Sequence, residues 1–276
     1  MLKYGPRVDI AEDELEELLR FAVDVAVRAG ESTLPYFRRD VVVEDKRSHG
    51  RFDPVTEADR EAERVIRAGI EAAYPQHGVF GEEFGLLPGN GLTWVIDPID
   101  GTRAFMTGML HWGVLLALFD GERPVLGVMH QPFTNETFFG NNREAWYRHG
   151  SRQQRLQSRR CASLADAVLT TTSPKLFRDP AERDGFDRLE AAVKLSKYGG
   201  DCYIYAMLAM GYVDLATDAS LQAYDIQALM PIIRGAGGVV TKLDGGDASL
   251  GGTVVAAGSQ SLHDAALACM RSGSPH

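Results

Sequence analysis

Residues 94–102 read Trp-Val-Ile-Asp-Pro-Ile-Asp-Gly-Thr, and this stretch carries the strongest structural and chemical signal in the chain. A short apolar strand runs into two carboxylates, Asp97 and Asp100, which stand three residues apart. Pro98 fixes its own φ and is expected to help end the strand, and Gly101 allows a sharp turn. The pattern therefore predicts that both carboxylates converge at the end of a strand.

Clustered carboxylates of this kind suit a hard divalent cation that also touches phosphate oxygens, especially where backbone N–H groups follow a turn. The same stretch is also compatible with an Asp-Pro turn followed by an Asp helix cap. On its own, the motif leaves both interpretations open.

Further acidic residues occur where a shared cation site would need them. Glu82 and Glu83 follow a short apolar run, and neighbouring residues of a strand point to opposite faces, so only one of them is expected to face the site. Asp225 stands in the first turn of a predicted apolar helix, where it also complements the helix dipole. Thr56 and Asp59 resemble a capping box that opens the helix running toward Tyr74.

Four of these segments together resemble the inositol monophosphatase superfamily of lithium-sensitive, magnesium-dependent phosphomonoesterases. The segments are Asp-Pro-Ile-Asp-Gly-Thr at 97–102, Gly-Glu-Glu at 81–83, Val-Thr-Glu-Ala-Asp at 55–59 and Tyr-Asp at 224–225. They occur in the family's order, and the resemblance covers nearly the whole chain. It implies an α+β fold, a layered α/β/α/β/α sandwich of the inositol monophosphatase and fructose bisphosphatase type, with the site in the cleft between two halves.

The resemblance also implies the metal ligands and the chemistry. The implied metal ligands are the side chains of Glu82, Asp97, Asp100 and Asp225 and the carbonyl of Ile99. They would hold two or three Mg²⁺ ions, with Asp100 as the bridge. A water activated by the metal would attack the phosphorus in line. The implied catalytic residues are Asp59, Thr102 and Glu82, with Thr102 held by Asp59 and orienting the water. Glu83 and Lys46 are further candidates near the metals.

The residues after Asp-Gly-Thr indicate the branch. Arg103-Ala104-Phe105 is similar to the histidinol-phosphate phosphatase branch, where inositol phosphatases usually have Thr-Asn-Phe. Segments 124–133, 171–174 and 198–203 are also similar to that branch. The resemblance therefore implies hydrolysis of L-histidinol phosphate to L-histidinol and phosphate, in histidine biosynthesis.

Histidinol phosphate carries an ammonium and an imidazole, so its site needs acids away from the metals. Asp201 and Asp218 are the candidates, although each is also compatible with a helix cap or a strand end. The full set of predicted substrate-binding residues is Asp100, Gly101, Thr102, Arg103, Lys197, Asp201, Asp218 and Asp225. Arg103 and Lys197 are also compatible with surface positions.

Composition limits the partners and the compartment. The 276 residues carry a net charge of −9, which disfavours a nucleic-acid partner and fits a small phosphorylated metabolite held through metal ions. The odd set Cys161, Cys202 and Cys269, the acidic N-terminal region and the lack of a long apolar run favour a cytoplasmic protein with no membrane segment. The resemblance implies a homodimer.

Hydrophobic periodicity divides the chain at residue 157. Residues 1–157 are predicted to form an N-terminal α+β half with an antiparallel sheet and the metal-binding motifs. Residues 158–276 are predicted to form a C-terminal α/β half that supplies Asp225 and substrate contacts. Predicted elements include helices at about 12–37, 181–193, 201–210, 225–235 and 261–270, and a hairpin that joins 114–119 to 124–129.

Two alternatives to histidinol phosphate hydrolysis stay open. The first is the same chemistry on inositol 1-phosphate, fructose 1,6-bisphosphate or a 3′-phosphorylated adenosine nucleotide. The second is an interaction protein with vestigial activity, because some superfamily members bind RNA-polymerase-associated assemblies. The intact motif carboxylates and the negative charge weigh against this second alternative.

Overall fold

The structure is a computed structural model that describes residues 7–39, 43–45 and 54–271. Eight α-helices are found in these ranges: α1 (Glu12–Thr33), α2 (Glu57–Ala73), α3 (Thr102–Met106), α4 (Pro180–Ala192), α5 (Cys202–Ala209), α6 (Ala223–Ile226), α7 (Leu229–Gly235) and α8 (Gln260–Arg271). Short 3₁₀ helices lie at Leu164–Asp166 and Pro174–Leu176. None of the described helices has both the length and the apolar character needed to cross a bilayer.

The strands form three sheets. The first is an antiparallel pair of β1 (Val43–Asp45) and β2 (Pro54–Thr56). The second has eight strands: β3 (Gly78–Gly81), β4 (Gly85–Leu87), β5 (Thr93–Asp100), β6 (Gly113–Phe119), β7 (Pro124–Gln131), β8 (Glu136–Gly140), β9 (Ala145–His149) and β10 (Arg152–Arg155). Its order is β10-β9-β8-β7-β6-β5-β3-β4, and β3 pairs with β5 in parallel while the other pairs are antiparallel.

The third sheet has five strands and is mixed. Its members are β11 (Val168–Thr171), β12 (Leu195–Tyr198), β13 (Leu215–Leu221), β14 (Val239–Lys242) and β15 (Gly252–Ala257). Their order is β12-β11-β13-β15-β14, with parallel pairing on both sides of β11 and antiparallel pairing on both sides of β15.

Helices and sheets alternate in five layers. Helices α1 and α2 pack on one face of the eight-stranded sheet, and α5, α6 and α7 fill the space between the two large sheets. Helices α4 and α8 cover the outer face of the five-stranded sheet. The layered α/β/α/β/α sandwich is therefore confirmed. Whether residues 157 and 158 separate two domains stays a prediction.

A β-bulge in β5 shapes the acidic motif. Asp97 pairs with Leu115 and Asp100 pairs with Gly113, so β5 has one more residue in this interval than β6. Residues three apart on a regular strand face opposite sides, and the extra residue reverses that parity. Pro98 sits inside the bulge, where its missing N–H costs no ladder bond. The expectation that Pro98 ends the strand is wrong, because β5 continues to Asp100.

Proline also explains two errors in the predicted helix bounds. Helix α1 ends at Thr33 and does not reach residue 37, because Pro35 has no N–H to donate to the carbonyl four residues earlier. The chain continues in tighter turns, in which Tyr36 N donates to Thr33 O over 3.0 Å. The single helix predicted at 225–235 is two helices, α6 and α7. Pro231 cannot donate to the carbonyl four residues earlier, at Gln227, where the chain breaks between the two helices.

The sequence pattern does not indicate strand β10. Strand β10 has the sequence Arg-Gln-Gln-Arg and lies at the exposed edge of its sheet, so it has no apolar alternation to indicate a strand. The capping box is confirmed: Thr56 N donates to Asp59 Oδ2 over 2.8 Å at the start of α2. The predicted hairpin is also confirmed as β6 and β7.

Candidate active site

Three carboxylates from two distant segments meet at the end of β5. Asp97, Asp100 and Asp225 each place one carboxylate oxygen within 4.8 Å of the others. Asp97 is 2% exposed, whereas Asp100 and Asp225 are partly buried and open to a cleft. Asp97 Oδ1 accepts a hydrogen bond of 3.1 Å from Ile99 N, which fixes the turn of the bulge.

Asp225 combines a helix-cap role with its place in this acidic cluster. It is the third residue of α6, and its Oδ2 accepts a hydrogen bond of 2.7 Å from the Gln222 N–H in a capping box. The sequence allowed a helix-capping or a metal-ligating interpretation of Asp225. Because a carboxylate has two oxygens, the same side chain fits both.

Glu82 lies in the turn that follows β3 and lines the same cleft as the three aspartates. Its backbone N–H donates to Ile96 O over 3.2 Å. The expectation that Glu82 and Glu83 alternate on a strand is wrong, because both residues lie past the end of β3. Glu83 instead gives its backbone N–H to Glu63 Oε2 over 2.8 Å.

Burial and mutual repulsion both disfavour the ionised carboxylates of the acidic cluster. Burial raises the pKa of Asp97 well above its usual range, and the charges of Glu82, Asp100 and Asp225 raise it further. Burial and Asp100 raise the pKa of Asp225 in the same way. Carboxylates held this close cannot all ionise without a compensating charge. The donor set therefore fits a hard divalent cation, which prefers oxygen ligands.

Thr102, at the start of α3, connects the cluster to α2. Its hydroxyl lies 3.1 Å from Ile99 O and 3.5 Å from Asp59 Oδ1. Asp59 is 1% exposed, and its other oxygen accepts bonds of 2.8 and 2.6 Å from the Thr56 N–H and hydroxyl. One carboxylate thus caps α2 and also faces Thr102.

Gly101 makes the sharp turn between β5 and α3 possible. Its φ is +84°, in the left-handed region that side chains disfavour. A Cβ at this position would lie 2.6 Å from His111 O and 3.2 Å from the Asp201 Cβ. The glycine therefore lets the backbone approach the opposite wall of the cleft.

The cleft is a cavity of about 700 Å³. Most of the predicted site residues line it: Glu82, Asp97, Ile99, Asp100, Gly101, Thr102, Arg103, Asp201, Asp218 and Asp225. Asp59 lies behind Thr102, in contact with its hydroxyl. Lys197 is not brought to the cavity wall; it is exposed, and its ammonium lies 3.3 Å from Tyr198 O and 3.5 Å from Gly199 O. Lys46 lies outside the described residues.

The two acids predicted to contact a cationic substrate differ in their surroundings. Asp218 accepts four hydrogen bonds, from the Thr171 hydroxyl, the Thr172 N–H, the Thr172 hydroxyl and the Tyr205 hydroxyl. Asp201 precedes α5 but does not cap it. Burial, together with the charges of Asp100 and Asp218, raises the pKa of Asp201 to about 8. Asp201 is therefore the acid that gains more from a cationic ligand.

Sequence analysis missed several residues of the cleft. Cys202 donates its backbone N–H to Asp100 Oδ2 over 2.6 Å, and Tyr205 donates its hydroxyl to Asp218 Oδ2 over 3.2 Å. Arg178 also lines the cavity. Cys202 and Tyr205 lie in an apolar helix that reads as core, and Arg178 follows a 3₁₀ turn with no periodic signal.

This fold and acidic cleft are those of a known phosphatase family. The sequence model of the inositol monophosphatase family matches residues 14–275. The chain belongs to the inositol monophosphatase family and, as a member, is a phosphomonoesterase of a metal-dependent class.

Particular relatives refine this placement. A histidinol-phosphatase of Chlorobaculum parvum is 38% identical over 222 residues, covering 80% of this chain and 83% of the relative. A chloroplastic bifunctional phosphatase of Arabidopsis thaliana is 37% identical over 271 residues, covering 94% of this chain and 76% of the relative. Among solved structures, an inositol monophosphatase from Zymomonas mobilis is 37% identical, with a TM-score of 0.82. The match covers 92% of this chain and 98% of that structure's chain. The histidinol-phosphatase branch is confirmed, and the named substrates of these relatives differ.

Proposed function

We propose that this protein is a Mg²⁺-dependent phosphatase that hydrolyses L-histidinol phosphate to L-histidinol and phosphate. The observation that carries the metal dependence is the approach of Asp97, Asp100 and Asp225 to within 4.8 Å of one another. Three buried or partly buried acids at this separation, joined by Glu82 on the same wall, favour divalent cations over any neutral ligand.

The proposed metal ligands are Glu82, Asp97, Asp100, Asp225 and the Ile99 carbonyl. When bound there, Mg²⁺ supplies a Lewis acid for the phosphoryl oxygens and lowers the pKa of a water. The number of ions, predicted as two or three, stays a prediction. The protein's own contribution is to hold these oxygens in place, through the bulge in β5 and the caps at Gln222 and Cys202.

Thr102 and Asp59 are proposed to orient the attacking water. The Thr102 hydroxyl has one proton, which it gives either to Ile99 O or to Asp59 Oδ1. When the Ile99 carbonyl serves as a ligand, the proton goes to Asp59, whose carboxyl group is already fixed by Thr56. The hydroxyl oxygen is then available to accept a hydrogen bond from the attacking water and so to orient it.

Phosphate binding is proposed at the turn between β5 and α3. Gly101 is left-handed, and residues 100–102 line the cavity together, so the backbone N–H groups of residues 101 and 102 are proposed to bind phosphate oxygens beside Asp100. Arg103 lines the cavity beside them and is proposed to contact the substrate. The cavity of about 700 Å³ accommodates a small phosphorylated metabolite.

The substrate assignment depends on Asp201. L-Histidinol phosphate has an ammonium next to the phosphorylated carbon, and Asp201 lines the cavity with its pKa raised by burial and by two neighbouring carboxylates. An ammonium beside it favours the ionised carboxylate and gains a charge-assisted hydrogen bond. Asp218, whose oxygens already accept four hydrogen bonds, is proposed to shape the wall and to add negative potential.

The experiment is a substrate panel on metal-stripped protein reconstituted with Mg²⁺. Phosphate release is measured from L-histidinol phosphate, inositol 1-phosphate, fructose 1,6-bisphosphate and a 3′-phosphorylated adenosine nucleotide. We expect kcat/KM to be at least about tenfold higher for L-histidinol phosphate, which corresponds to about 1.4 kcal/mol of transition-state binding. A tenfold preference for inositol 1-phosphate, the substrate class named for the Zymomonas mobilis relative, would overturn the assignment.

A further inference from the structure

The turn that carries Glu82 is held by a buried ion pair outside the cleft. Glu63, on α2, is 0% exposed, and its carboxylate faces the turn between β3 and β4. Glu63 Oε2 accepts a hydrogen bond of 2.8 Å from Glu83 N, and Oε1 accepts one of 3.2 Å from Phe84 N. With Glu82 N bonded to Ile96 O, three consecutive backbone N–H groups of the turn are engaged.

Arg67 compensates the charge of the buried Glu63 carboxylate and also binds the backbone of the turn. Its Nε lies 2.7 Å from Glu63 Oε1, and its Nη2 donates to Gly85 O over 2.5 Å. One guanidinium therefore joins the carboxylate to the far end of the turn, in a fork geometry that lysine does not have. The Phe84 ring lies 5.8 Å from the Arg67 guanidinium carbon, so the ion pair is partly covered by the turn that it holds.

Gly81 leaves the space that this arrangement needs. A Cβ at Gly81 would lie 2.0 Å from Glu63 Oε1 and 2.3 Å from the Glu63 carboxyl carbon. The glycine of the Gly-Glu-Glu motif therefore allows a carboxylate to approach the backbone directly beside Glu82. Because Glu63 is not among the residues that line the cleft, its influence on that cleft passes through the backbone of the turn.

We propose that Glu63 and Arg67 are positioning residues for the metal site, which set the orientation of the Glu82 carboxylate and thereby the affinity for the divalent cation. The inference rests on the proposed function, because it takes Glu82 as a metal ligand. A buried carboxylate that accepts two backbone N–H groups fixes a turn more rigidly than solvent does. Residues that orient a ligand in this way are typically worth about 10–100-fold in metal affinity.

Glu63→Gln is the first test variant, because it keeps the shape and removes the charge. The amide has only one acceptor oxygen. In either orientation, its NH₂ group therefore faces a donor, which is either a backbone N–H of the turn or the Arg67 guanidinium, and one hydrogen bond is lost. Glu61→Gln is the matched control: Glu61 lies on the same helix, is 41% exposed in its side chain and pairs with Arg64 at 3.0 Å. Arg67→Lys is the second variant, which keeps the charge but loses the fork.

The experiment measures Mn²⁺ binding to metal-stripped protein by the electron paramagnetic resonance signal of free Mn²⁺. This readout needs no turnover. We expect Glu63→Gln and Arg67→Lys to raise the Kd for Mn²⁺ by about tenfold or more, with Glu61→Gln unchanged. We also expect kcat at saturating Mg²⁺ to recover toward the wild-type value, since the variants alter ligand placement and leave the ligands themselves in place.

Glu82→Gln separates the two possible failures. If Glu82→Gln weakens Mn²⁺ binding while Glu63→Gln and Arg67→Lys do not, the positioning role is wrong and the proposed metal site stands. If Glu82→Gln leaves Mn²⁺ binding unchanged, the metal assignment of Glu82 is wrong, and the positioning role fails with it. If Glu63→Gln does not fold, Arg67→Lys decides the question by the same measurement.

Discussion

The backbone N–H of Cys202 donates a 2.6 Å hydrogen bond to Asp100 Oδ2, across 102 residues of sequence. Asp100 ends a strand of the eight-stranded sheet, and Cys202 begins the helix α5 that leads into β13 of the five-stranded sheet. The bond holds the Asp100 carboxylate against the start of α5, while the same side chain takes part in the acidic cluster. The two large sheets therefore determine the geometry of the cluster together.

Asp97→Asn removes one charge from the cluster at nearly constant shape, because the amide oxygen can still accept from Ile99 N. We expect kcat/KM to fall by more than about a hundredfold, since residues that only support a metal ligand already cost about 10–100-fold. The free energy of unfolding of the metal-free variant should equal or exceed that of the wild type, because repulsion is relieved. Phosphate release and chemical denaturation measure the two effects, and wild-type turnover would contradict the metal assignment.

Thr102→Ala removes the hydroxyl that connects Ile99 O and Asp59. We expect kcat to fall by about a hundredfold, while KM changes by less than about threefold, because the hydroxyl acts on the attacking water and not on the substrate. Thr102→Ser is the control that retains the hydroxyl and should keep most of the activity. Steady-state kinetics give both parameters, and a defect confined to KM would show that Thr102 serves binding.

Asp201→Asn tests the recognition of a cationic substrate. The variant keeps the shape and loses the charge that would meet the ammonium, so KM for L-histidinol phosphate should rise by about tenfold or more. KM for inositol 1-phosphate, a neutral polyol apart from its phosphate, should change by less than about threefold. Asp218→Asn is the comparison variant at the other acid of the wall. An equal effect of Asp201→Asn on both substrates would point to a structural role.

The metal-free protein should lose stability as the pH rises. The pKa of Asp201 is about 8 in the folded protein, against an ordinary value of 3.8, so between these pH values the folded state binds a proton that the unfolded state does not. Stability then falls as the pH rises through this window, and Asp218, with a pKa of about 6, acts in the same direction. Differential scanning calorimetry from pH 5 to pH 9 checks the sign.

The same linkage predicts that Mg²⁺ raises the Tm more at pH 8 than at pH 6, because the cation binds ionised carboxylates. Asp201→Asn is the control and should flatten the slope of Tm against pH in the metal-free protein. A Tm of the metal-free wild type that rises steadily from pH 6 to pH 9 would contradict the raised pKa values.

Local sequence was sufficient to predict the residues whose role follows from their position at an element end. Asp97 and Asp100 follow an apolar strand, and Asp225 lies in the first turn of a helix, so the sequence predicts their convergence at a shared site. The bulge that makes Asp97 and Asp100 face the same side was not predicted. It depends on pairing with β6, which residue spacing within β5 does not encode.

The sequence pattern does not predict the environment of a side chain that is set by contacts with a distant helix, strand or turn. Glu63 reads as one of several acids on a solvated helix face, yet it is fully buried because the turn after β3 folds over it. Lys197 was predicted either to contact the substrate or to be a surface lysine, and it is exposed and does not line the cavity. The burial of Glu63 depends on partners 20 and 21 residues away in sequence.

The most direct test of the proposed metal site is a crystal structure of the protein with Mn²⁺, recorded at a wavelength that reveals manganese by anomalous scattering. We expect at least one anomalous peak within about 2.0–2.4 Å of oxygens of Asp97, Asp100 and Asp225, in the range of hard-cation distances. Loss of that peak in Asp97→Asn crystals would support the assignment further. Saturating Mn²⁺ with no peak among these three carboxylates would contradict it.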